Sequence, residues 1–144
     1  MKTRSDIAQL FLRLSLGVGF LLPVMDRFGW LGQPGEKGIN WGKWENFVGY
    51  TNVLLPYVNA SVANFMGAAA TAAEMIFAIA LIIGFKTRLA SLGSFLLTLI
   101  FALSMFFFVG KTAPFSSSVF TVSAASLLLS CMPVYKWSID SPNT

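Results

Sequence analysis

Apolar residues in this chain gather into four long blocks, 7–25, 62–84, 89–109 and 117–135, separated by shorter polar stretches. None of the blocks shows the strict period-two alternation of a barrel strand. All are too long for one, so each reads as a helix long enough to cross hydrocarbon, which takes about 20 apolar residues. The Phe85-Lys86-Thr87-Arg88 connection is short enough to make the second and third blocks an antiparallel hairpin. A segment containing Pro114 joins the third block to the fourth. The pattern predicts an all-α integral membrane protein, a bundle of four transmembrane helices in a single domain covering 1–144.

The stretch 26–59 breaks this regularity. Asp26-Arg27-Phe28-Gly29-Trp30-Leu31-Gly32-Gln33-Pro34-Gly35 is rich in turn-forming glycine and proline. Farther on, Trp44, Phe47 and Val48 fall at i, i+3 and i+4, the face of a short amphipathic helix. Tryptophan and tyrosine prefer the bilayer interface, so this outer loop is expected to carry a short interfacial helix that serves as an anchor rather than a lid.

Composition agrees with the pattern. Of 144 residues, 56% are hydrophobic and 11% charged, and the mean hydropathy is +0.70. Soluble domains carry about 25% charged residues, so lipid must cover most of this surface. The net charge of +4 lies in short loops and termini. It therefore reports topology rather than a nucleic-acid partner. Lys2, Arg4, Lys86, Arg88 and Lys136 fall on one side, with Arg13 just inside it; Arg27, Lys37, Lys43 and Lys111 fall on the other. The Lys86/Arg88 hairpin places both termini in the cytoplasm of a bacterial inner membrane. Lys2 and Arg4 before an apolar block imitate a signal peptide, but no small-residue cleavage site follows and Arg13 interrupts the block, so a retained helix is expected. With Cys131 the sole cysteine and no histidine, an internal disulfide, a dithiol relay and a histidine-ligated haem or metal are excluded within this chain.

Glu74 is the residue that asks for a chemical explanation. It stands alone in the second block, with no other charge between Glu45 and Lys86. A carboxylate in hydrocarbon must face protein or a wet cavity and have a partner. Ala63, Gly67, Ala70, Thr71 and Ala78 lie around it at helical spacing, and small residues let membrane helices approach closely. Glu74 is thus expected on the packed face, with Met75, Ile76, Ile79 and Ile83 turned away. Arg13 in the first block is the expected partner. It lies six residues past position 7, about 9 Å deep, and Glu74 lies ten residues before position 84, about 15 Å deep. An arginine can close a gap of about 6 Å and dock on a carboxylate. Such a pair either locks two helices in register or serves a proton or a polar substrate; Arg13 snorkelling to the interface is the third option.

Other candidates rank lower. Asp26 and Arg27 form an outer-face charge pair at a solvated helix end, with Lys43 or Lys111 as further partners for Asp26. Ser123, Ser126 and Ser130 share one face of the fourth block, and Ser117, Thr121 and Ala125 another. Tight packing explains these faces, as would a polar cavity beside Glu74 lined by Thr71, Ser123, Ser126 and Trp44. The phenylalanine-rich third block is expected to face lipid. The Asn59-Ala60-Ser61 sequon is read as accidental.

Several of these elements together resemble the DoxX family of small four-helix membrane proteins. They are Arg13-Leu14-Ser15-Leu16-Gly17 with Phe20-Leu21, then Phe28-Gly29-Trp30-Leu31-Gly32, then Glu74 followed by Ile79-Ala80-Leu81-Ile82-Ile83-Gly84-Phe85-Lys86-Thr87-Arg88-Leu89-Ala90. The Asp26-Arg27-Phe28-Gly29 segment with Trp41-Gly42 and Trp44 resembles one branch of it. Where many relatives carry a His-Gly pair, this chain has Leu22-Pro23, so no role of that histidine transfers. The resemblance implies the membrane component of a redox-linked complex, quinone- or thiol-associated, with no redox centre of its own. No metal is expected, and no cofactor beyond a bound quinone; the expected partners are the bilayer and a redox protein or a second copy. Whether such a subunit is itself catalytic is left open. A small proton-coupled carrier using Glu74, or a scaffold without chemistry, are the alternatives.

Overall fold

The computed structural model describes residues 2–141, and the described residues contain helices and no strands. The helices are α1 (Lys2–Arg27), α2 (Trp44–Leu54), α3 (Ala60–Ile83), α4 (Thr87–Phe108), α5 (Ala113–Ser116) and α6 (Val119–Ser130). α1 packs on α3 and α4 on α6, with α3 and α4 joining the two pairs. The bundle has a turn end, at the α3–α4 connection, and a cap end, closed by α2.

Helices α1, α3 and α4 are long and apolar enough to cross a membrane. Their outward faces carry Phe11, Val18 and Leu22, then Ile76, Ile79 and Ile83, then Leu96, Ile100 and Phe107, all exposed. Soluble monomers rarely expose so many large apolar side chains together. The expected fourth span is shorter than its sequence block. α6 has 12 residues, about 18 Å of helix. Ser118 takes a left-handed φ of 56° just before it, and α6 stops three residues short of Pro133, whose ring disfavours helix at the preceding residue. The chain still returns to the turn end through the non-helical segment 131–141.

The register of α1 on α3 is fixed at Gly17. A Cβ there would fall 2.6 Å from Ile82 Cγ1 and 3.1 Å from the Ala78 carbonyl, so only glycine permits this approach. The two helices run antiparallel, which puts Gly17 level with the 78–82 turn. At the same 1.5 Å rise on both helices, Arg13 is level with Gly84 and Arg27 with Ala70 and Thr71. Leu16, Phe20, Ala78, Leu81, Ala90, Leu129 and Tyr135 form the buried core between the pairs.

On α3 the buried face is Ala63, Gly67, Thr71, Glu74, Ala78 and Leu81, so Glu74 does lie on the small-residue side. Asn59 caps this helix by accepting from the Val62 amide at 2.9 Å, which gives the sequon asparagine a structural task. α4 is less lipid-facing than its phenylalanines imply. Thr87, Ser91, Ser94, Thr98, Ala102 and Met105 make a buried stripe, and the Ser91, Ser94 and Thr98 hydroxyls donate to carbonyls of their own helix.

At the turn end the segment 131–141 lies across the bundle as a strap. Gly84 adopts φ 73°, and its missing Cβ leaves room for Ser138 and Arg13. The Asp140 amide donates to the Gly84 carbonyl at 3.0 Å. The Asp140 carboxylate in turn accepts from the Lys86 amide at 2.7 Å and the Thr87 amide at 2.6 Å, capping α4 from outside. Partial burial works against ionisation of Asp140, but the Thr87 and Lys86 amides and the nearby Arg13 charge outweigh it and hold the carboxyl below its ordinary value. A depressed folded-state value means the strap's contribution is complete above the unfolded carboxylate value, about 4, and is lost as pH falls through the lower folded one. Asp140→Ala should therefore weaken the strap by about 1 kcal/mol at neutral pH, the usual worth of a capping side chain. Its effect should vanish at acid pH, as read by hydrogen exchange of the Lys86 and Thr87 amides.

Candidate functional site

Glu74 is buried and paired, but its partner is Arg27. Arg27 Nη1 donates to Glu74 Oε2 and, at 2.7 Å, to Thr71 Oγ1. Thr71 and Glu74 are three residues apart on α3 and so share a face. The expected Arg13–Glu74 pair does not form. With Gly17 seated on the 78–82 turn, Arg13 is level with Gly84, ten residues or about 15 Å beyond Glu74. Counting depth from the apolar block edges treated the two helices as starting level, whereas α1 begins at Lys2 and is displaced towards the turn end. Arg13 is instead buried under the strap. Its Nη1 donates to the Lys136 carbonyl at 3.3 Å and its Nη2 to the Trp137 carbonyl at 2.6 Å. Gln9 joins it on the Lys136 carbonyl at 3.1 Å.

The Asp26–Arg27 pair expected on a solvated outer face is corrected as well. Both residues are 3% exposed and they do not pair with each other. Asp26 takes neither Lys43 nor Lys111; its carboxylate gathers three consecutive loop amides, Asn40 at 2.9 Å, Trp41 at 3.2 Å and Gly42 at 3.0 Å. That grip folds the 28–43 loop back over the end of α1. It brings the Trp41 ring to 5.3 Å and the Phe47 ring to 3.9 Å from the Arg27 guanidinium carbon, both in cation–π range. Arg27 is thus held by a carboxylate, a hydroxyl and two aromatic faces.

α2 roofs a cavity with its buried face. Phe47, Thr51 and Leu54 are its buried residues, and together with Tyr50 they line a cavity of about 850 Å³ in the cap half of the bundle. The walls come from every side: Phe20 and Pro23 of α1, Ala70 and Ala73 of α3, Phe101 and Met105 of α4, Val122 of α6. Arg27 and Glu74 are the charged residues on the wall. Two of its lining residues, Phe65 on α3 and Ile100 on α4, are also exposed on the outer surface of the bundle. Pro23 has no N–H, so the Gly19 carbonyl, also on the wall, lacks its usual helical donor. Burial pushes the Tyr50 phenol above its ordinary value, which keeps it protonated at neutral pH.

The residues expected to line a cavity lie elsewhere. Thr71 is behind the wall, bonded to Arg27. Ser123 reaches the Phe95 carbonyl at 3.2 Å, tying α6 to α4, and Ser126 donates to Val122 within its own helix. Trp44 stacks on Phe28 with centroids 5.7 Å apart and donates to Asn64 Oδ1 at 2.7 Å. Packing, then, accounts for the serine face. Among the described residues no three histidine, cysteine, aspartate or glutamate side chains gather where they could hold a metal. Trp41 and Tyr50 are site residues the sequence reading did not single out; Arg27 it placed in a solvated outer-face pair and Phe47 only on an amphipathic face. The available signal was Arg27 itself, an arginine next to Asp26 in the last turn of an apolar helix.

An apolar cavity of this size, with one cluster of convergent polar groups, is the usual form of a small-molecule site. No protein-family model, curated protein or solved structure matches the chain.

Proposed function

We propose that this chain is a DoxX-type membrane subunit that holds a small lipophilic ligand, a quinone, in the α2-roofed cavity as part of a redox-linked complex. The observation that carries the reading is the 850 Å³ cavity, mostly apolar, with the buried Arg27–Glu74 pair on its wall. A pair kept only to lock two helices would be enclosed by side chains, whereas this one borders a space large enough for a substituted ring. The motif around Glu74 and the Thr87-Arg88 turn supports the family, and the absence of histidine and of a second cysteine means electrons would pass between the ligand and a partner's cofactor. The partner is a redox protein or a second copy of the chain.

The proposed setting is a bacterial inner membrane with the turn end, which carries Lys86, Arg88 and Lys136, in the cytoplasm. In that topology α6 and its flanking segments make the fourth pass. A proton-coupled carrier is the second reading, favoured by the contact of a buried carboxylate with the cavity. Purification in mild detergent followed by solvent extraction and mass spectrometry separates the two. The ligand reading expects about one prenylquinone per chain. A ligand-free preparation that moves protons in liposomes, and loses this in Glu74→Gln, would favour the carrier.

A further inference from the structure

The polar cluster leaves three atoms unused, two of which are not enclosed. Arg27 spends Nη1 on Thr71 and Glu74, and its Nε is enclosed without a partner. Nη2 makes no hydrogen bond among the described residues, yet it is not one of the enclosed atoms. Glu74 spends Oε2 on Arg27, while Oε1 accepts from nothing and is not enclosed either. Both side chains line the cavity, and neither free atom is enclosed. The cavity therefore presents a charged donor beside a charged acceptor, drawn from the two halves of one ion pair.

We propose that the cavity selects an uncharged, hydroxyl-bearing aromatic lipophile, a phenol or hydroquinone, whose oxygen accepts from Arg27 Nη2 and whose proton is donated to Glu74 Oε1. This rests on the reading of the cavity as a ligand site. A hydroxyl is the smallest group that both donates and accepts. A carbonyl or ether satisfies Nη2 but leaves Oε1 against an apolar group, and a desolvated carboxylate oxygen without a donor is costly. A carboxylate head would meet Glu74 and an ammonium head would meet Arg27, each with a like charge in contact. The ring is favoured by the aromatic wall of Trp41, Phe47, Tyr50, Phe65 and Phe101. For a quinone couple, the site favours the reduced form over the oxidised one.

The test is isothermal titration calorimetry on the full chain in phosphatidylcholine nanodiscs, with empty nanodiscs subtracted. The probes are para-hexylphenol, its methyl ether, para-hexylbenzoate and an aliphatic alcohol of equal carbon count. The phenol should bind at least about tenfold tighter than the ether, the effect of one hydrogen bond to a charged group. It should also outbind the benzoate and the alcohol. Equal affinity for phenol and ether would overturn the hydroxyl recognition and leave the cavity reading standing. A tighter benzoate would overturn the neutral head, and a tighter alcohol the aromatic class. Binding of none of the four would remove the cavity reading itself. Because the comparison is made on the unaltered protein, loss of folding cannot mimic any of these results.

Discussion

Arg27→Ala should lower the stability of the bundle by about 3–5 kcal/mol, the usual cost of leaving one member of a buried ion pair alone. Arg27 is 3% exposed and brings together α1, the Glu74 and Thr71 face of α3, and the Trp41 and Phe47 rings of the cap. The two single substitutions should not be equal. Without Arg27, the carboxyl of Glu74 can take up a proton and become neutral. Without Glu74, the guanidinium of Arg27 has no such escape, since it stays charged under all accessible conditions. Glu74→Ala is therefore expected to be the more damaging. Arg27→Met combined with Glu74→Leu should recover most of the loss, because an apolar pair of similar volume removes both desolvation costs. Equilibrium unfolding in mixed micelles reads all of these, and a cycle closed with the single Arg27→Met and Glu74→Leu variants measures the coupling. The corresponding variants of Arg13 should show no coupling to Glu74, since Arg13 serves the strap carbonyls instead.

Asp26→Ala comes next in size, with an expected loss of about 3 kcal/mol. Three backbone amides, at 40, 41 and 42, converge on this one carboxylate and lose their acceptor together once it is gone. The damage should be local. Helices α3, α4 and α6 do not depend on the loop, whereas Trp41 would leave Arg27 and the roof over the cavity would loosen. Tryptophan emission should move to the red and the amides of 40–42 should exchange faster, while helix content stays close to that of the parent. Asp26→Asn, which keeps an acceptor oxygen but not the charge, should fall between the two.

Part of this arrangement was legible in the sequence because it depends on neighbours along the chain. The apolar blocks, the tight Lys86–Arg88 turn, the small-residue face beneath Glu74 and the Trp44–Phe47–Val48 helix are local patterns, and α3, α4 and α2 follow from them. The rest depends on contacts between distant residues. Arg27 rather than Arg13 meets Glu74 because Gly17 seats on Ala78 and Ile82, and no count of depth from block edges contains that register. Asp26 looked solvated because its ligands, loop amides 14–16 residues away, have no side-chain signature. The fourth block looked continuous because serines and alanines do not reveal a break, yet Ser118 turns left-handed and α6 is left with 12 residues. The serines of α6 illustrate a further limit: a hydroxyl that bonds its own helix and one that faces a cavity have the same spacing in sequence.

The central claim is that the space beside Arg27 and Glu74 is a ligand site. It is tested most directly by titrating a short-chain benzoquinone, in either redox state, into the purified protein and its Ala70→Phe variant. Ala70 is on the cavity wall one turn before Glu74, and a phenylalanine there fills the space beside the charged pair. The expected result is one saturable site per chain in the parent, seen as partial quenching of tryptophan emission, and its loss in Ala70→Phe with circular dichroism and oligomeric state unchanged. Saturable binding of equal affinity in both proteins, or none in the parent, would contradict the account.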